Sequence, residues 1–286
     1  MKRITKAIAA VAAVLSIASL AGCGNSAAAS DKHTITIGIK FDQPGLGFKQ
    51  GDKVTGFDTD VARYVARELG YSESEIKWIS APSAQREAVL QNGQADLVFA
   101  TYSITDARKK LIEFGGPYFV AGQDLLVRAD DASITGPETL AGKRLCSVNG
   151  STSATVIKDH YANTVQLMEQ PGFAECATAL LSGTVDAVST DDIILAGLAA
   201  AKGNGQLRVV GKPFTQERYG VGIPKGRTDM VEKVNAALKK MVEDGSWQKA
   251  LDDATAGTGF KPDARYNPPT VFDAASSTYD FKTSLN

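Results

Sequence analysis

The sequence predicts an α/β protein made of two similar lobes, each with a mainly parallel β-sheet covered by helices. The first observation is that the hydrophobic period switches repeatedly between strand and helix spacing along the chain. The second is a repeated junction: residues 90–98 and 181–188 each run from a helix end through glycine to an aspartate that opens an apolar strand. Chance similarity between two such junctions is the rival explanation.

The first half of the chain predicts a series of strand and helix units. Ile35, Ile37 and Ile39 alternate with polar or small residues, which is typical of a strand. Apolar residues then recur at helical spacing over 61–69, and Gly70 ends that helix. The elements predicted next are a strand at 76–79, a helix at 84–91, a strand at 96–101 and a helix entered at Thr105.

The alternation restarts after Pro117–Gly122 and predicts a second series. Its elements are strands at 124–127 and 144–148, a helix at 152–161 and strands near Val165 and Val185. In open α/β sheets, ligands bind at the carboxyl ends of strands. Thr101 and Asp191 each follow the aspartate of a repeated junction by five residues, so we expect them to face one cleft from opposite lobes.

The first residues have the form of a lipoprotein signal. Cationic residues at 2, 3 and 6 precede an apolar run from Ala7 to Leu20, and small residues lead to Cys23. We therefore predict a signal peptide over 1–22, a lipid on Cys23, a tether over 23–33 and an extracytoplasmic, membrane-anchored domain. The alternative is a plain signal peptide with an incidental cysteine.

Composition excludes several classes of function. The net charge of −1 includes three basic signal residues, so the mature chain carries about −4, which argues against a nucleic-acid partner. After export, Cys146 and Cys176 form an isolated pair for which we expect a disulfide, with two buried free thiols as the alternative. No cluster of residues has the spacing of a metal site or a catalytic nucleophile, and the sequence predicts no cofactor.

Two strand-to-helix turns predict a site for a carboxylate. Thr101, Ser103 and Arg108 lie in the turn that enters the helix capped by Thr105, where free backbone N–H groups and a guanidinium occur together. Gly150 to Ser153 begins a helix of the other lobe and offers further donors. Taken singly, each turn is explained equally well by an ordinary cap or a solvated arginine.

These turns belong to a larger pattern that resembles a known family. The motifs that carry it are Gly56-Phe57-Asp58-Thr59-Asp60, Arg86 leading to Leu90 and Gly93, Ser103-Ile104-Thr105-Asp106-Ala107-Arg108, Phe114-Gly115-Gly116-Pro117-Tyr118 and Gly150-Ser151-Thr152. In this order the chain is similar to the family 3 extracellular solute-binding proteins of ABC importers for polar amino acids. The resemblance covers 34–261 and is strongest to glutamate-binding lipoproteins, through 40–45 and 82–87.

The resemblance implies a type II periplasmic-binding fold, with two βαβ lobes joined by two hinge strands. Lobe one takes 34–116 plus 221–261, lobe two takes 123–215, the hinges are 117–122 and 216–220, and 262–286 is a C-terminal tail that we expect to extend over the surface. In the family's pattern, Arg108 binds the ligand's α-carboxylate and Asp191 its ammonium. Thr101 and Ser103 contact the backbone groups of the ligand, and Thr152 adds a donor.

The expected specificity for the ligand's side chain depends on the cations that do not bind its α-carboxylate. Arg108 and Asp191 neutralise an α-amino acid, so a second ligand carboxylate needs further cations. Lys40 ends the first strand and Arg86 begins a helix, both where the acidic amino-acid binders of this family have basic side chains, and Ser83 adds a hydroxyl. The alternative is that both are surface cations.

We therefore expect a lipid-anchored, monomeric substrate-binding protein that captures an acidic amino acid and delivers it to ABC importer permease subunits. L-Glutamate is the first expectation, followed by aspartate or glutamine, and the protein is not expected to be an enzyme. A small-acid dehydratase or lyase on the same fold is the alternative from another class, and a sensor ectodomain is a third.

Overall fold

The core consists of one six-stranded and one five-stranded β-sheet with flanking helices. The computed structural model describes residues 33–161, 163–270, 272–274 and 280–281. The predicted signal peptide, Cys23 and nearly all of the tether lie outside the described residues. The strands are β1 (Ile35–Ile39), β2 (Asp42–Gln43), β3 (Gly47–Gln50), β4 (Lys53–Thr55), β5 (Ile76–Ser80), β6 (Leu97–Val98), β7 (Glu113–Ala121), β8 (Gln123–Arg128), β9 (Arg144–Val148), β10 (Gln166–Gln170), β11 (Ala187–Asp191), β12 (Leu207–Val209), β13 (Thr215–Ile223) and β14 (Asp280–Phe281).

The longer helices each bury an apolar face in the core. In α1, for example, Val61, Tyr64 and Val65 are all buried, as the helical spacing predicts. The helices are α1 (Phe57–Glu68), α2 (Arg86–Gln91), α3 (Asp106–Lys109), α4 (Thr152–Tyr161), α5 (Phe173–Leu181), α6 (Asp192–Lys202), α7 (Thr228–Glu243) and α8 (Ser246–Thr255). None of the helices in the described part of the chain has the length and apolarity needed to cross a bilayer.

The two sheets repeat one arrangement of strands. In the first sheet β1 pairs in parallel with β5 and β6, and in the second β9 pairs in parallel with β10 and β11. An antiparallel strand lies beside each unit, β13 next to β6 and β8 next to β11. The sheets are therefore mixed rather than mainly parallel, because the strands that connect them run back against the parallel units.

The repeated sequence junction occupies the same place in both sheets. Asp96 accepts a hydrogen bond from the backbone N–H of Thr36 on β1, and Asp186 accepts one from the backbone N–H of Arg144 on β9. Each aspartate also donates its own backbone N–H to the carbonyl of that same partner. The similarity between 90–98 and 181–188 is thus structural, since each aspartate ties the start of a strand to the first strand of its sheet.

Two long strands connect the sheets. β7 and β13 pair antiparallel over most of their length, and each continues from the first sheet toward the second. The chain passes directly from β7 into β8 of the second sheet and later returns through β13. Between β1 and α1 lies a small antiparallel sheet, β2–β3–β4, which the sequence pattern did not predict because its strands are too short to show a period.

A disulfide joins Cys146 on β9 to Cys176 on α5, as predicted, with the two Cα atoms 5.5 Å apart. Both cysteines are fully buried in the core between the sheet and its helix. The bond therefore holds α5 against the second sheet from within.

The described part of the C-terminal tail is packed rather than laid loosely over the surface. The side-chain amide of buried Asn267 accepts from the backbone N–H of Val120 on β7 and donates to the carbonyl of the same residue. Farther along, β14 pairs with Thr215 and Gln216 of β13. An asparagine amide has the same donor and acceptor as a peptide group, so it can extend the edge of a sheet where a strand would otherwise pair.

Candidate functional site

The carboxyl ends of the parallel strands meet between the two sheets, and the side chains singled out in the sequence gather there. Lys40 follows β1, Thr101 follows β6 and Asp191 ends β11. Of the eight predicted ligand-binding residues, seven are buried and Thr152 is half-buried; the buried ones are Lys40, Ser83, Arg86, Thr101, Ser103, Arg108 and Asp191. Their burial excludes the alternative that these residues are surface cations and ordinary helix caps.

Lys40 is a buried cation, 3% exposed, in the first sheet. Its Nζ donates to Ser83 Oγ at 2.8 Å and lies 5.9 Å from the ring centre of Phe173, which begins α5 beside the second sheet. Burial and then the nearby charge of Arg86 lower the pKa of Lys40 to about 8. A lysine ammonium has three N–H donors, and within the described residues Ser83 is the hydrogen-bond partner of only one of them.

Arg86 is held mainly by backbone carbonyls. Its Nη1 donates to Ala100 at 2.9 Å and to Thr101 at 3.3 Å, and its Nη2 donates to Gly150 at 3.3 Å. The guanidinium also lies 4.2 Å from the ring centre of Tyr102. Burial lowers the pKa of Arg86 to about 10, with the charge of Arg108 as the next cause. Arg86 therefore contributes positive charge while most of its donors are already engaged.

Arg108 sits on the first turn of α3. Thr105 caps this helix by accepting from the Arg108 backbone N–H, as the sequence predicts. The guanidinium donates from Nη1 to the Ser103 carbonyl at 2.8 Å and from Nη2 to the Gly150 carbonyl at 2.9 Å, and Nε lies 3.2 Å from Glu87 Oε1. Among the described residues, each terminal nitrogen has one acceptor and so keeps a second N–H, which is the fork geometry that suits a carboxylate.

Thr101 is held in a strained backbone conformation. Its φ of 45° lies in the left-handed region, which is unfavourable for a β-branched residue. The buried carboxylate of Asp58 stabilises this turn by accepting from the Thr101 backbone N–H at 2.9 Å and from the Tyr118 hydroxyl at 2.7 Å. Burial raises the pKa of Asp58 to about 6. The carbonyl of Thr101 accepts from Arg86 Nη1 in this turn, which follows β6.

Asp191 has one satisfied and one unsatisfied oxygen. Its Oδ2 accepts from the Tyr219 hydroxyl, while its Oδ1 is buried and has no hydrogen-bond partner among the described residues. Burial raises the pKa of Asp191, and the negative charge of Glu217 raises it further. A buried carboxylate oxygen without a donor is costly, and this oxygen can accept a hydrogen bond from a group that enters the cleft.

Glu217 is a site residue that sequence reasoning missed. It lies on β13 and is fully buried, and its carboxylate accepts from Thr152 Oγ1 at 3.0 Å and from Thr215 Oγ1 at 3.1 Å. The available signal is an acidic residue in a strand whose other residues are mostly apolar or hydroxylic, but the sequence pattern predicts only a hinge here. Because Thr152 directs its hydroxyl proton toward Glu217, the donor it can offer a ligand is its backbone N–H.

Backbone of the second sheet approaches the first sheet closely around the cleft. A Cβ added to Gly150 would lie 2.7 Å from the Cα of Ala84, and one added to Gly197 on α6 would lie 2.3 Å from the carbonyl oxygen of Pro44. Asp42 Oδ2 accepts from the backbone N–H of Phe173 at the start of α5. The cleft is thus closed by direct contacts that tolerate only glycine at two positions.

Across the described ranges, no group of three or more histidine, cysteine and acidic side chains is arranged to hold a metal ion. The cleft instead combines three buried cations, the buried carboxyl groups of Asp58, Asp191 and Glu217, and several hydroxyls. Such a set offers cations to the carboxylates of a small zwitterion and acceptors to its ammonium group.

Comparison with known proteins gives consistent matches. The family model for bacterial extracellular solute-binding proteins, family 3, matches residues 35–254. The glutamate-binding protein GluB of Corynebacterium efficiens is 44% identical over 85% of this chain and 87% of that protein. The ABC transporter glutamine-binding protein GlnH of Bacillus subtilis is 38% identical over 78% of this chain and 81% of that protein.

Solved structures agree with the sequence matches. An ancestral arginine-binding protein bound to glutamine superposes with a TM-score of 0.72 at 34% identity, and the match covers 77% of this chain and 97% of that one.

Proposed function

Since the chain belongs to the bacterial extracellular solute-binding proteins of family 3, which bind amino acids for ABC transporters, we propose that this protein captures an acidic amino acid, L-glutamate first, in the cleft between its two sheets. Its fold is that of the type II periplasmic binding proteins. Among the relatives, those named for glutamate are the more similar and a glutamine binder follows.

The buried ammonium of Lys40 carries the proposal for an acidic ligand. An α-amino acid requires one cation for its carboxylate and one anion for its ammonium, and Arg108 and Asp191 can supply these. Lys40 is then a further buried cation, and in the described part of the chain the Ser83 hydroxyl accepts from only one of its three N–H donors. A buried charge needs a partner, and a side-chain carboxylate of the ligand provides one.

The other site residues take supporting roles in this proposal. Arg86 adds positive charge next to the side-chain carboxylate, and the turn from Thr101 to Ser103 contacts the ligand's backbone groups. The N-terminus of α4, at Thr152, offers free backbone N–H groups to the α-carboxylate.

We also propose that the two sheets are the cores of two lobes that close on the ligand. Lobe one is 34–116 plus 221–261 and lobe two is 123–215. The proposed hinges are 117–122 and 216–220, and the antiparallel pairing of β7 with β13, the strands that connect the two sheets, supports them. Contacts between the sheets, such as that of Asp42 with the start of α5, would then form on closure.

Export and anchoring complete the proposal. The signal over 1–22 would be removed and Cys23 would carry lipid, holding a monomer at the outer face of the membrane near its permease subunits. Cys23→Ser is expected to shift the protein from the detergent phase to the aqueous phase in a partitioning assay, with the ligand affinity of the purified domain unchanged. Equal partitioning of the two forms would contradict the anchor.

The test of the acidic ligand is calorimetric titration of L-glutamate and L-glutamine into Lys40→Met. Loss of the cation strands the side-chain carboxylate of glutamate, at a cost on the order of 3 kcal/mol, so glutamate affinity should fall about a hundredfold. Glutamine has no charge there and should lose much less. Lys53→Met, which removes an exposed lysine of β4, is the matched control and should leave both affinities unchanged. Equal losses for both ligands in Lys40→Met would refute the role of Lys40.

A further inference from the structure

The carboxylate of Glu217 lies where three parts of the cleft meet. On β13, residues 215, 217 and 219 share one face, and each takes part in the same polar cluster. The hydroxyls of Thr152 on α4 and Thr215 on β13 donate to Glu217, and the hydroxyl of Ser103 lies 3.3 Å from that of Thr152.

In the described part of the chain no cation contacts this carboxylate directly, and the nearby charge of Arg108 only opposes the rise in the pKa of Glu217. Among the described residues, Glu217 forms no ion pair, and its hydrogen bonds come from neutral hydroxyls. The same strand face carries Tyr219, whose hydroxyl donates to Asp191, and the charge of Glu217 raises the pKa of Asp191, so the two carboxyl groups lie near each other. Asp191 Oδ1, which has no partner, is the second uncompensated acceptor there.

We propose that Asp191 and Glu217 together form the site for the ligand's ammonium group, and that without ligand they retain a proton which passes to solvent when the ammonium binds. This inference rests on the proposed function, because it assigns a second residue to the ammonium of an amino-acid ligand. An ammonium has three N–H donors. Asp191 Oδ1, a Glu217 oxygen and the lone pair of the Thr152 or Ser103 hydroxyl are the three acceptors.

Retention of a proton follows from charge. Two neighbouring carboxyl groups in a desolvated site do not both ionise, and their protons leave in steps that belong to the pair. Burial raises the pKa of both groups, and their mutual repulsion adds to this for Asp191. A bound ammonium favours ionisation of both carboxyl groups because it stabilises both negative charges. The other titratable or charged groups that face the pair are Asp192, Tyr219, Arg86 and Arg108.

A purely structural role for Glu217 makes a different prediction. If its carboxylate only linked the hydroxyls of Ser103 and Thr152 across the cleft, a ligand would bind without displacing a proton. Proton release therefore separates the two roles, even where both would lower affinity in a variant.

The experiment is titration calorimetry of L-glutamate at pH 7 in phosphate and in Tris, buffers with small and large enthalpies of protonation. The difference in apparent binding enthalpy between the two buffers, divided by the difference in their protonation enthalpies, gives the number of protons exchanged per bound ligand. We expect release of between about half and one proton per bound glutamate in the wild type, and a smaller release in Glu217→Gln, where burial still raises the pKa of Asp191 but the charge of Glu217 no longer does. L-Glutamine should release as many as glutamate, which excludes a contribution from Lys40. Glutarate, which lacks the ammonium, should release none.

Binding of glutamate to the wild type with no net proton release would overturn the inference and leave the proposed function intact. Release from Glu217→Gln equal to that from the wild type would overturn the assignment to Glu217. If no amino acid binds the wild type at all, the proposed function fails and this inference fails with it. The wild-type measurement decides the matter even if Glu217→Gln does not fold.

Discussion

Arg86 and Arg108 both donate to the carbonyl oxygen of Gly150, yet their other partners give them different capacities. Arg86 is surrounded by carbonyls of its own sheet and by an aromatic ring, whereas Arg108 keeps one free N–H on each terminal nitrogen. The guanidinium with both nitrogens available is the better partner for the α-carboxylate, which every amino acid carries. In the proposed function, Arg86 and Lys40 are then the cations that distinguish one ligand side chain from another.

This division of tasks predicts how two variants differ. Arg108→Met should weaken L-glutamate and L-glutamine by the same factor, on the order of a hundredfold or more, since both ligands lose the same charged partner. Arg86→Met should weaken glutamate more than glutamine. Arg67→Met, at an exposed arginine on α1, is the matched control and should behave as the wild type. Calorimetric titration of all three variants measures the ratios, and a changed glutamate-to-glutamine ratio in Arg108→Met would exclude its assigned role.

At the scale of elements, α6 and the β2–β3 turn form a contact that depends on the absence of a side chain. Gly197 is in the middle of α6, where glycine lowers helix stability by up to about 1 kcal/mol relative to alanine. Its position is explained by the carbonyl of Pro44, which a Cβ would approach to 2.3 Å. Pro44 lies beside the first sheet and α6 beside the second, so the contact belongs to the closed cleft.

Gly197→Ala should therefore hinder closure of the cleft without lowering the stability of the ligand-free protein. The ligand-free protein should unfold at the same or a slightly higher urea concentration, because the helix gains propensity. Ligand affinity should fall by about tenfold to a hundredfold, the effect of 1–3 kcal/mol of overpacking in the closed form. Ala200→Ser, at an exposed position of the same helix, controls for the substitution itself. Unchanged affinity in Gly197→Ala would show that α6 does not approach Pro44 in the liganded protein.

At the scale of the whole molecule, the sequence predicts most of the framework, because the repeated junction, the paired cysteines and the capped turn at Thr105 are local signals. The features it misses are those made by residues far apart. Glu217 has no motif around it, and its partner Thr152 is 65 residues away, so only the folded chain shows that this acid is in the cleft. The sequence does not reveal the pairing of Asn267 with Val120 for the same reason, because the two residues are 147 positions apart.

The most direct test of the acidic-ligand site is calorimetric titration of the purified protein with a panel of free amino acids. A cleft with Lys40, Arg86 and Arg108 against Asp191 and Glu217 should bind L-glutamate at one site per chain, with L-aspartate and L-glutamine binding more weakly. Cationic amino acids should bind least, because their side chains would face Lys40 and Arg86. Binding of L-arginine as tight as that of L-glutamate, or no binding by any amino acid, would contradict an acidic amino-acid site in this cleft.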